Sequence, residues 1–193
     1  MKQIVMAFVI CAFANAFSLE NLQENIQKSL HNHILQGKFT QEKELQGFSN
    51  KIKSYGVFRL ENVEEKTLFW DTHSPIKSHI KITKKGIFTK DSKQDKWIPL
   101  SNNKHQEMLL SILSMDFRAL GAYFDFDLRE DKDIWILELK AKNAILAKIF
   151  DSITLQGFVK YPSIVEKVIL LERNGDKTTN IFSAISINAV ATK

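Results

Sequence analysis

Two aspartates are the strongest candidates for catalysis in this sequence. Asp125 and Asp127 stand two residues apart, so on an extended chain both carboxylates point to the same side, where a pair can move a proton to or from a substrate. Their alternation with Tyr123, Phe124 and Phe126 is also typical of the polar face of a β-strand. We favour the strand and keep the carboxylate pair as the alternative.

The histidines do not form a metal-binding pattern. His31 and His33 are two residues apart in a predicted helix, so they do not share a face. The other three, His73, His79 and His105, are scattered without a His-x-x-x-His spacing. We therefore expect surface histidines and no metal site.

Motifs for nucleophilic or cofactor chemistry are missing as well. The sequence has no Gly-x-Ser-x-Gly turn, no glycine-rich phosphate loop and no dinucleotide fingerprint. Cys11 is the only cysteine, and it lies in the leader described next. We therefore predict a protein that is not an enzyme, needs no cofactor and has no disulfide.

The first 16 residues have the pattern of a cleaved export signal. Lys2 is followed by an apolar core, Ile4 to Phe13, and by the small-x-small site that ends at Ala16. The core is shorter than the ~20 residues of a permanent membrane anchor. Lipidation at Cys11 is the alternative, but the preceding Ile10 is larger than such a site accepts. We expect cleavage after Ala16 and export.

Composition indicates one ordinary folded domain after this leader. The 193 residues are 44% apolar and 25% charged, which is normal for a globular protein with a sizeable core. The formal net charge is +5, without a long run of like charges, so nucleic acid is not an expected partner. We predict a single domain over residues 17–193.

Extended segments dominate the pattern. From Gly37 to Gly86 three segments alternate with a period of two, and alternating or apolar segments recur up to Asn188. The total is about nine to eleven antiparallel strands, and a sheet of that size usually curls. The fold class predicted is mainly β (α+β), a strongly curved, unclosed antiparallel barrel.

Three amphipathic helices accompany the strands. The first is predicted from Leu19 to about Leu35, capped by Ser18 and ended by Gly37; the second runs from Asn102 or Asn103 to Gly121; the third spans Asn143 to Phe150. We expect them to form a lid over the apolar face of the sheet. Periodicity alone leaves open whether the space beneath is a filled core or an apolar cavity.

Several segments, in their order, resemble the periplasmic outer-membrane lipoprotein carrier family (LolA and LolA-like proteins). The resemblance covers nearly the whole chain after the leader. It is carried by Phe39-Thr40-Gln41-Glu42-Lys43, Tyr55-Gly56-Val57-Phe58, Leu68-Phe69-Trp70 with Pro75, Leu109 to Phe117, Trp135 to Lys140, Asn143 to Phe150, Ile153 to Gly157, and Gly175 to Thr178.

This resemblance implies a function. Family members take the acyl chains of a lipoprotein from an inner-membrane release complex, shield them in the periplasm and pass them to an outer-membrane receptor. We accordingly expect a periplasmic monomer that carries acylated lipoproteins or other lipid cargo. The alternatives are a carrier of another acylated or aryl lipid, a non-catalytic envelope-assembly adaptor, and a lipid-processing or small-molecule enzyme.

The resemblance also assigns site residues. Leu68 and Trp70 match the family's inward-facing apolar pair. Alternation adds further cavity residues, and the helix stripes supply the lid. The cavity set is Leu68, Trp70, Phe58, Ile80, Ile82, Trp135 and Leu137, and the lid set is Leu22, Ile26, Leu109, Ile112 and Leu113.

One segment departs from the family. The family's prototype has an Arg-Pro ahead of the apolar pair, and that arginine holds the lid shut. Here the segment reads Asn62-Val63-Glu64-Glu65-Lys66. Lys66 can supply the positive charge but not the planar fork of donors.

Overall fold

The computed structural model describes residues 17–91, 95–101, 110–112 and 114–190. The expected leader and the predicted lid residues Leu109 and Leu113 lie outside this part of the chain.

One antiparallel sheet of eleven strands forms the body of the molecule. Its order is β6-β5-β4-β3-β2-β1-β11-β10-β9-β8-β7, so the two ends of the described sheet are β6 and β7 and it is not closed. This confirms the predicted fold class. The strands are β1 (His33–Glu44), β2 (Ile52–Asn62), β3 (Thr67–Ser74), β4 (Ser78–Thr83), β5 (Gly86–Asp91), β6 (Lys96–Ser101), β7 (Phe124–Asp131), β8 (Ile134–Ala141), β9 (Phe150–Phe158), β10 (Lys167–Glu172) and β11 (Lys177–Ala189).

Helix α1 (Leu19–Leu30) begins where the sequence predicts but ends earlier. The Ser18 side chain accepts a hydrogen bond from the Asn21 backbone N–H at 3.1 Å, which caps the first turn. The predicted extension to Leu35 is wrong, because residues from His33 onward pair with both β2 and β11. Sheet pairing satisfies those backbone groups on both sides and overrides the helical pattern of the side chains.

The second predicted helix is not continuous. Residues 110–112 are helical, a turn follows at Ser114 and Met115, and α2 (Phe117–Leu120) starts again after Asp116. Met115 has φ 50°, which no α-helix contains. The predicted stop at Gly121 is confirmed, and the predicted start lies outside the described residues.

Helix α3 (Ala144–Ile149) matches its predicted position. The Asn143 side chain caps it by accepting from the Leu146 backbone N–H at 2.9 Å. Leu146 is its buried residue, whereas Ile145 is 67% exposed. The third helix therefore covers less of the sheet than its apolar stripe predicted.

Among the described residues, the buried apolar side chains other than Ile136 form two clusters on one face of the sheet, called here the inner face. The α1 cluster packs that helix against β7 to β10. The β1–β4 cluster includes Phe39, Phe58, Leu60, Leu68 and Ile82, and Leu110 from the lid segment covers it. The opposite face of the sheet is called the outer face.

Candidate functional site

The structure brings five of the seven predicted cavity residues together. Phe58, Leu68 and Ile82 are buried in the β1–β4 cluster, with Trp70 and Ile80 packed against it. Strand register explains this grouping, because Phe58 lies opposite Trp70 and Trp70 lies opposite Ile80. Residues that face each other across neighbouring strands share one face of the sheet.

Trp135 and Leu137 lie elsewhere. Both are fully buried in the α1 cluster. The Trp135 ring lies directly over Gly157, since a Cβ at that glycine would come within 2.6 Å of the ring. Their assignment to a binding cavity stays a prediction.

A small cavity lies between the two clusters. Its volume is about 30 Å³, far below the ~300 Å³ of the smallest usual ligand pockets. The described side chains around it therefore leave little free space between them. The cavity is lined by Leu30, Leu35, Phe58, Leu68, Trp70, Ile112, Met115, Ser163, Val165, Val168 and Phe182.

Aromatic rings form one wall of this cavity. Trp70 stacks on Phe39 with 3.9 Å between ring centroids and meets Phe182 edge-on at 6.1 Å. The Phe39 ring lies directly over Gly56, where an added Cβ would be 2.7 Å from the ring and 2.0 Å from the Asp71 carbonyl oxygen. Gly56 is thus required for β2, β3 and this ring to come together.

Of the three predicted lid residues that the structure describes, one reaches the cavity. Ile112 lines the cavity, as does Met115 from the turn that interrupts the helix. Leu22 and Ile26 are buried in the α1 cluster, so they attach α1 to the sheet. Met115 is a residue that sequence reasoning missed, because its place in the cavity wall depends on that turn.

A polar groove of about 500 Å³ opens beside the lid, between α1, the end of β2 and residues 114–118. We call it the mouth. Lys66 Nζ donates a hydrogen bond to Asp116 Oδ2 across it, and the two side chains are 25% and 28% exposed. The pair therefore links the β2–β3 connection directly to the residue that caps α2.

The electrostatics of Asp116 favour its ionised form. Burial on its own would raise the pKa of Asp116, but hydrogen bonds from Lys66 and from the first backbone N–H groups of α2 outweigh it. The pKa is held below its ordinary value of 3.8. The charged pair is thus maintained at neutral pH.

Asn62 holds the other side of the mouth. Its Nδ2 donates to the Leu30 carbonyl at 2.7 Å, and its own carbonyl accepts from the Asn32 backbone N–H at 3.0 Å. The segment that lacks the family's Arg-Pro thus contacts both α1 and the lid. Sequence reasoning singled out Lys66 but not its partner, although Asp116 stands where a helix cap is favoured.

The candidates for catalysis lie away from this site. Asp125 and Asp127 are on the outer face, 71% and 56% exposed, in ion pairs with Lys142 at 3.4 Å and Lys140 at 2.8 Å. Among the described residues, no group of three or more histidine, cysteine, aspartate or glutamate side chains is arranged to hold a metal ion. Nor does this part of the chain contain a helix long and apolar enough to cross a membrane.

Fold and site together define a class: an unclosed antiparallel β-sheet whose apolar inner face lies beneath a helical cover. No family model and no curated protein matches the sequence. Solved structures that match include a LolA superfamily protein from Nitrosomonas europaea, at 9% identity and TM-score 0.45, over 92% of this chain and 96% of that one. The sequence resemblance named the same superfamily.

Two other matches are a lipoprotein and a complex of two proteins. The Mycobacterium tuberculosis lipoprotein LppX is 10% identical with TM-score 0.43, over 91% of this chain and 99% of that one. The Pseudomonas aeruginosa MucA/MucB complex matches at 10% identity and TM-score 0.48, over 90% of this chain but only 58% of that one. Because all three TM-scores are below 0.5, these matches carry no argument about cargo, partners or mechanism.

Proposed function

We propose that this protein is a periplasmic carrier that shields the acyl chains of a lipoprotein, or of another lipid, beneath its lid. The observation that supports this most directly is the aromatic and aliphatic cavity under Ile112 and Met115, directly beside the polar mouth. Such an arrangement offers acyl chains an apolar space and leaves the attached head group or protein at the surface. Loading by an inner-membrane release complex and delivery to an outer-membrane receptor belong to the same proposal.

The carrier must open in order to bind. A cavity of about 30 Å³ cannot hold an acyl chain, so cargo has to displace the lid or the side chains beneath it. Each CH₂ group removed from water stabilises the complex by ~0.8 kcal/mol, and this gain offsets the contacts that opening breaks. Met115 suits such a site, because methionine adapts its shape to different neighbours.

Opening separates the Lys66–Asp116 pair. Both groups then return to water, where each is well solvated, so the ionic contact resists opening only modestly. The Lys66–Asp116 contact, called here the latch, keeps the interior covered when no cargo is bound and still yields to cargo. It takes the place that an arginine holds in the family.

Two alternatives have specific support. The small volume of the cavity favours a non-catalytic envelope-assembly adaptor that binds no lipid. The three rings that line the cavity, those of Phe58, Trp70 and Phe182, favour an aryl lipid over a plain acyl chain. Both make predictions about what the purified protein contains.

Native mass spectrometry of the mature protein, purified gently from a periplasmic extract, tests the proposal. We expect discrete acyl-containing adducts that are lost in Trp70→Glu and retained in Trp97→Glu, a change of the same type on the outer face. Circular dichroism and thermal unfolding establish that each variant is folded. An unmodified mass that neither lipid nor lipopeptide shifts would favour the adaptor, and aryl-containing adducts would identify the other cargo.

A further inference from the structure

The outer face of β1 to β6 carries a row of alternating cationic and aromatic side chains. Register places Arg59 opposite Phe69, Phe69 opposite Lys81, and Lys81 opposite Phe88. These residues come from four neighbouring strands, so the row runs across the sheet. None of them belongs to the cavity or to the mouth.

The cations in this row lie on the faces of the rings. Arg59 Cζ is 4.8 Å from the centroid of Phe69, and Lys81 Nζ is 4.9 Å from the centroids of both Phe88 and Trp97. Contacts of this kind attract a cation to the ring quadrupole. They hold the long side chains in place, so less conformational entropy is lost when an anion binds.

A groove of about 480 Å³ lies beside the row. Gly37 and Ala184 line it at the point where the β1–β11 register shifts by a bulge, and Ala184 has φ 50°. A bulge bends its strand, which accounts for a concave site on an otherwise regular sheet face. Lys38, Val57, Asp71, His79, Lys90 and Trp97 are among its other lining residues.

Charge in and around the groove is mixed but has a positive excess. Arg59 pairs with Glu61 at 2.9 Å, and Lys90 pairs with Asp95 at 2.6 Å. Lys38 and Lys81 have no carboxylate within 4.0 Å in the part of the chain that the structure describes. Asp71, which also lines the groove, lies 2.8 Å from His79. Lys38 in the groove and Lys81 at its edge, over the lining residue Trp97, are therefore available to an anionic ligand.

We propose that this groove binds an extended acidic segment of a partner protein that also carries apolar or aromatic side chains. The groove is open to solvent and lies across several strands, which suits a chain better than an enclosed small molecule. Its interspersed carboxylates favour a partner with a defined charge pattern over the uniformly anionic surface of a membrane. Phe69 and Trp97 supply apolar contact between the charges.

This partner site goes beyond lipid carriage and does not depend on it. The row and the cavity lie on opposite faces of the sheet, because Phe69 points outward between the inward-facing Leu68 and Trp70. Cargo and partner can therefore be bound at the same time. Failure of one proposal leaves the other standing.

Fluorescence anisotropy with a short fluorescein-labelled peptide of alternating Glu and Phe residues tests the inference on the mature protein. The comparison peptide has Gln in place of every Glu. We expect the acidic peptide to bind more tightly than the neutral one and its affinity to fall as salt is added. Removing both available charges in Lys38→Gln/Lys81→Gln weakens binding about three- to tenfold.

Two controls make this decisive. Lys81→Arg keeps the charge and retains binding, and Lys132→Gln/Lys148→Gln, which removes two exposed charges elsewhere, leaves it unchanged. Equal affinity for both peptides, or equal weakening by the control pair, overturns the proposal. It is also overturned if phosphatidylglycerol vesicles bind through Lys38 and Lys81 while the acidic peptide does not.

Discussion

Lys66 and Asp116, which are 50 residues apart in the chain, form the ion pair that joins the β2–β3 connection to the lid. Asp116 also caps α2 by accepting a hydrogen bond from the Ala119 backbone N–H at 3.2 Å. One carboxylate thus stabilises the helix and fastens it to the sheet. The structure thus places both ends of this contact at the mouth, one on the β2–β3 connection and one at the start of α2.

Breaking this pair makes lid opening more frequent. Lys66→Met and Asp116→Asn are each expected to lower the free energy of opening by about 1 kcal/mol, since a half-buried pair contributes at the upper end of the surface range. Hydrogen exchange of the backbone amides from residue 110 to residue 120 measures it. Lys85→Met is the control, because its pairing with Glu65 is long, at 3.8 Å, and exposed. If hydrogen exchange of these amides is unchanged in both variants, the Lys66–Asp116 pair does not hold the lid closed.

The latch weakens in acid. Because the pKa of Asp116 in the folded protein lies below 3.8, its ionised form contributes stability at pH values above 3.8, and this contribution is lost as the pH falls through the depressed pKa. We expect wild type and Asp116→Asn to differ in lid exchange at neutral pH and to converge at the acid end. A difference that stays constant across this range would show that Asp116 acts through its shape and not its charge.

Enlarging the cavity increases uptake of apolar ligands. Leu68→Ala removes a side chain from the cavity wall and costs about 2–5 kcal/mol of stability. Leu60→Ala is matched, because both leucines are 1% exposed in the same cluster, but Leu60 does not line the cavity. Both variants lose stability in urea unfolding, and Leu68→Ala alone gains saturable binding of a fluorescent fatty acid. If both variants gain fatty-acid binding equally, a general loosening of the fold, and not the cavity volume, admits the ligand.

Gly56 has no room for a side chain. In Gly56→Ala the new Cβ would lie 2.0 Å from a backbone oxygen, so strands β2 and β3 have to move apart. We expect a loss of about 3 kcal/mol, at the high end for overpacking, with reduced protection of the ring cluster around Trp70. Gly121→Ala is the control, since its closest contact is 3.1 Å, and its loss in urea unfolding is expected to be smaller. If Gly56→Ala and Gly121→Ala lose similar amounts of stability, the steric explanation is refuted.

Local patterns predicted most of the elements. Alternation assigned Phe58 and Ile80 to the apolar face and the family resemblance assigned Leu68 and Trp70, and the structure places all four on one face. The capping residue Ser18 marked the start of α1, and the apolar pattern after Asn143 marked α3. These signals are reliable because they depend on residues close together in the chain.

Non-local pairing decided where the predictions were wrong. The apolar stripe of α1 continues to Leu35, but the chain after Asn32 has partners in β2 and β11, which lie far away in the sequence. The second helix breaks at Met115, which then points into the cavity wall. A helical stripe specifies which side chains are apolar, not which backbone groups another strand will pair.

The sequence by itself determined a β-rich chain with an apolar inner face and amphipathic helices to cover it, because periodicity and composition depend only on local order. Only the tertiary structure decided that the cavity beneath Ile112 and Met115 is small, that Lys66 meets Asp116, and that Lys81 lies over Phe88 and Trp97. Each of these depends on strand register and on side-chain volume. Both are set when distant segments pack together.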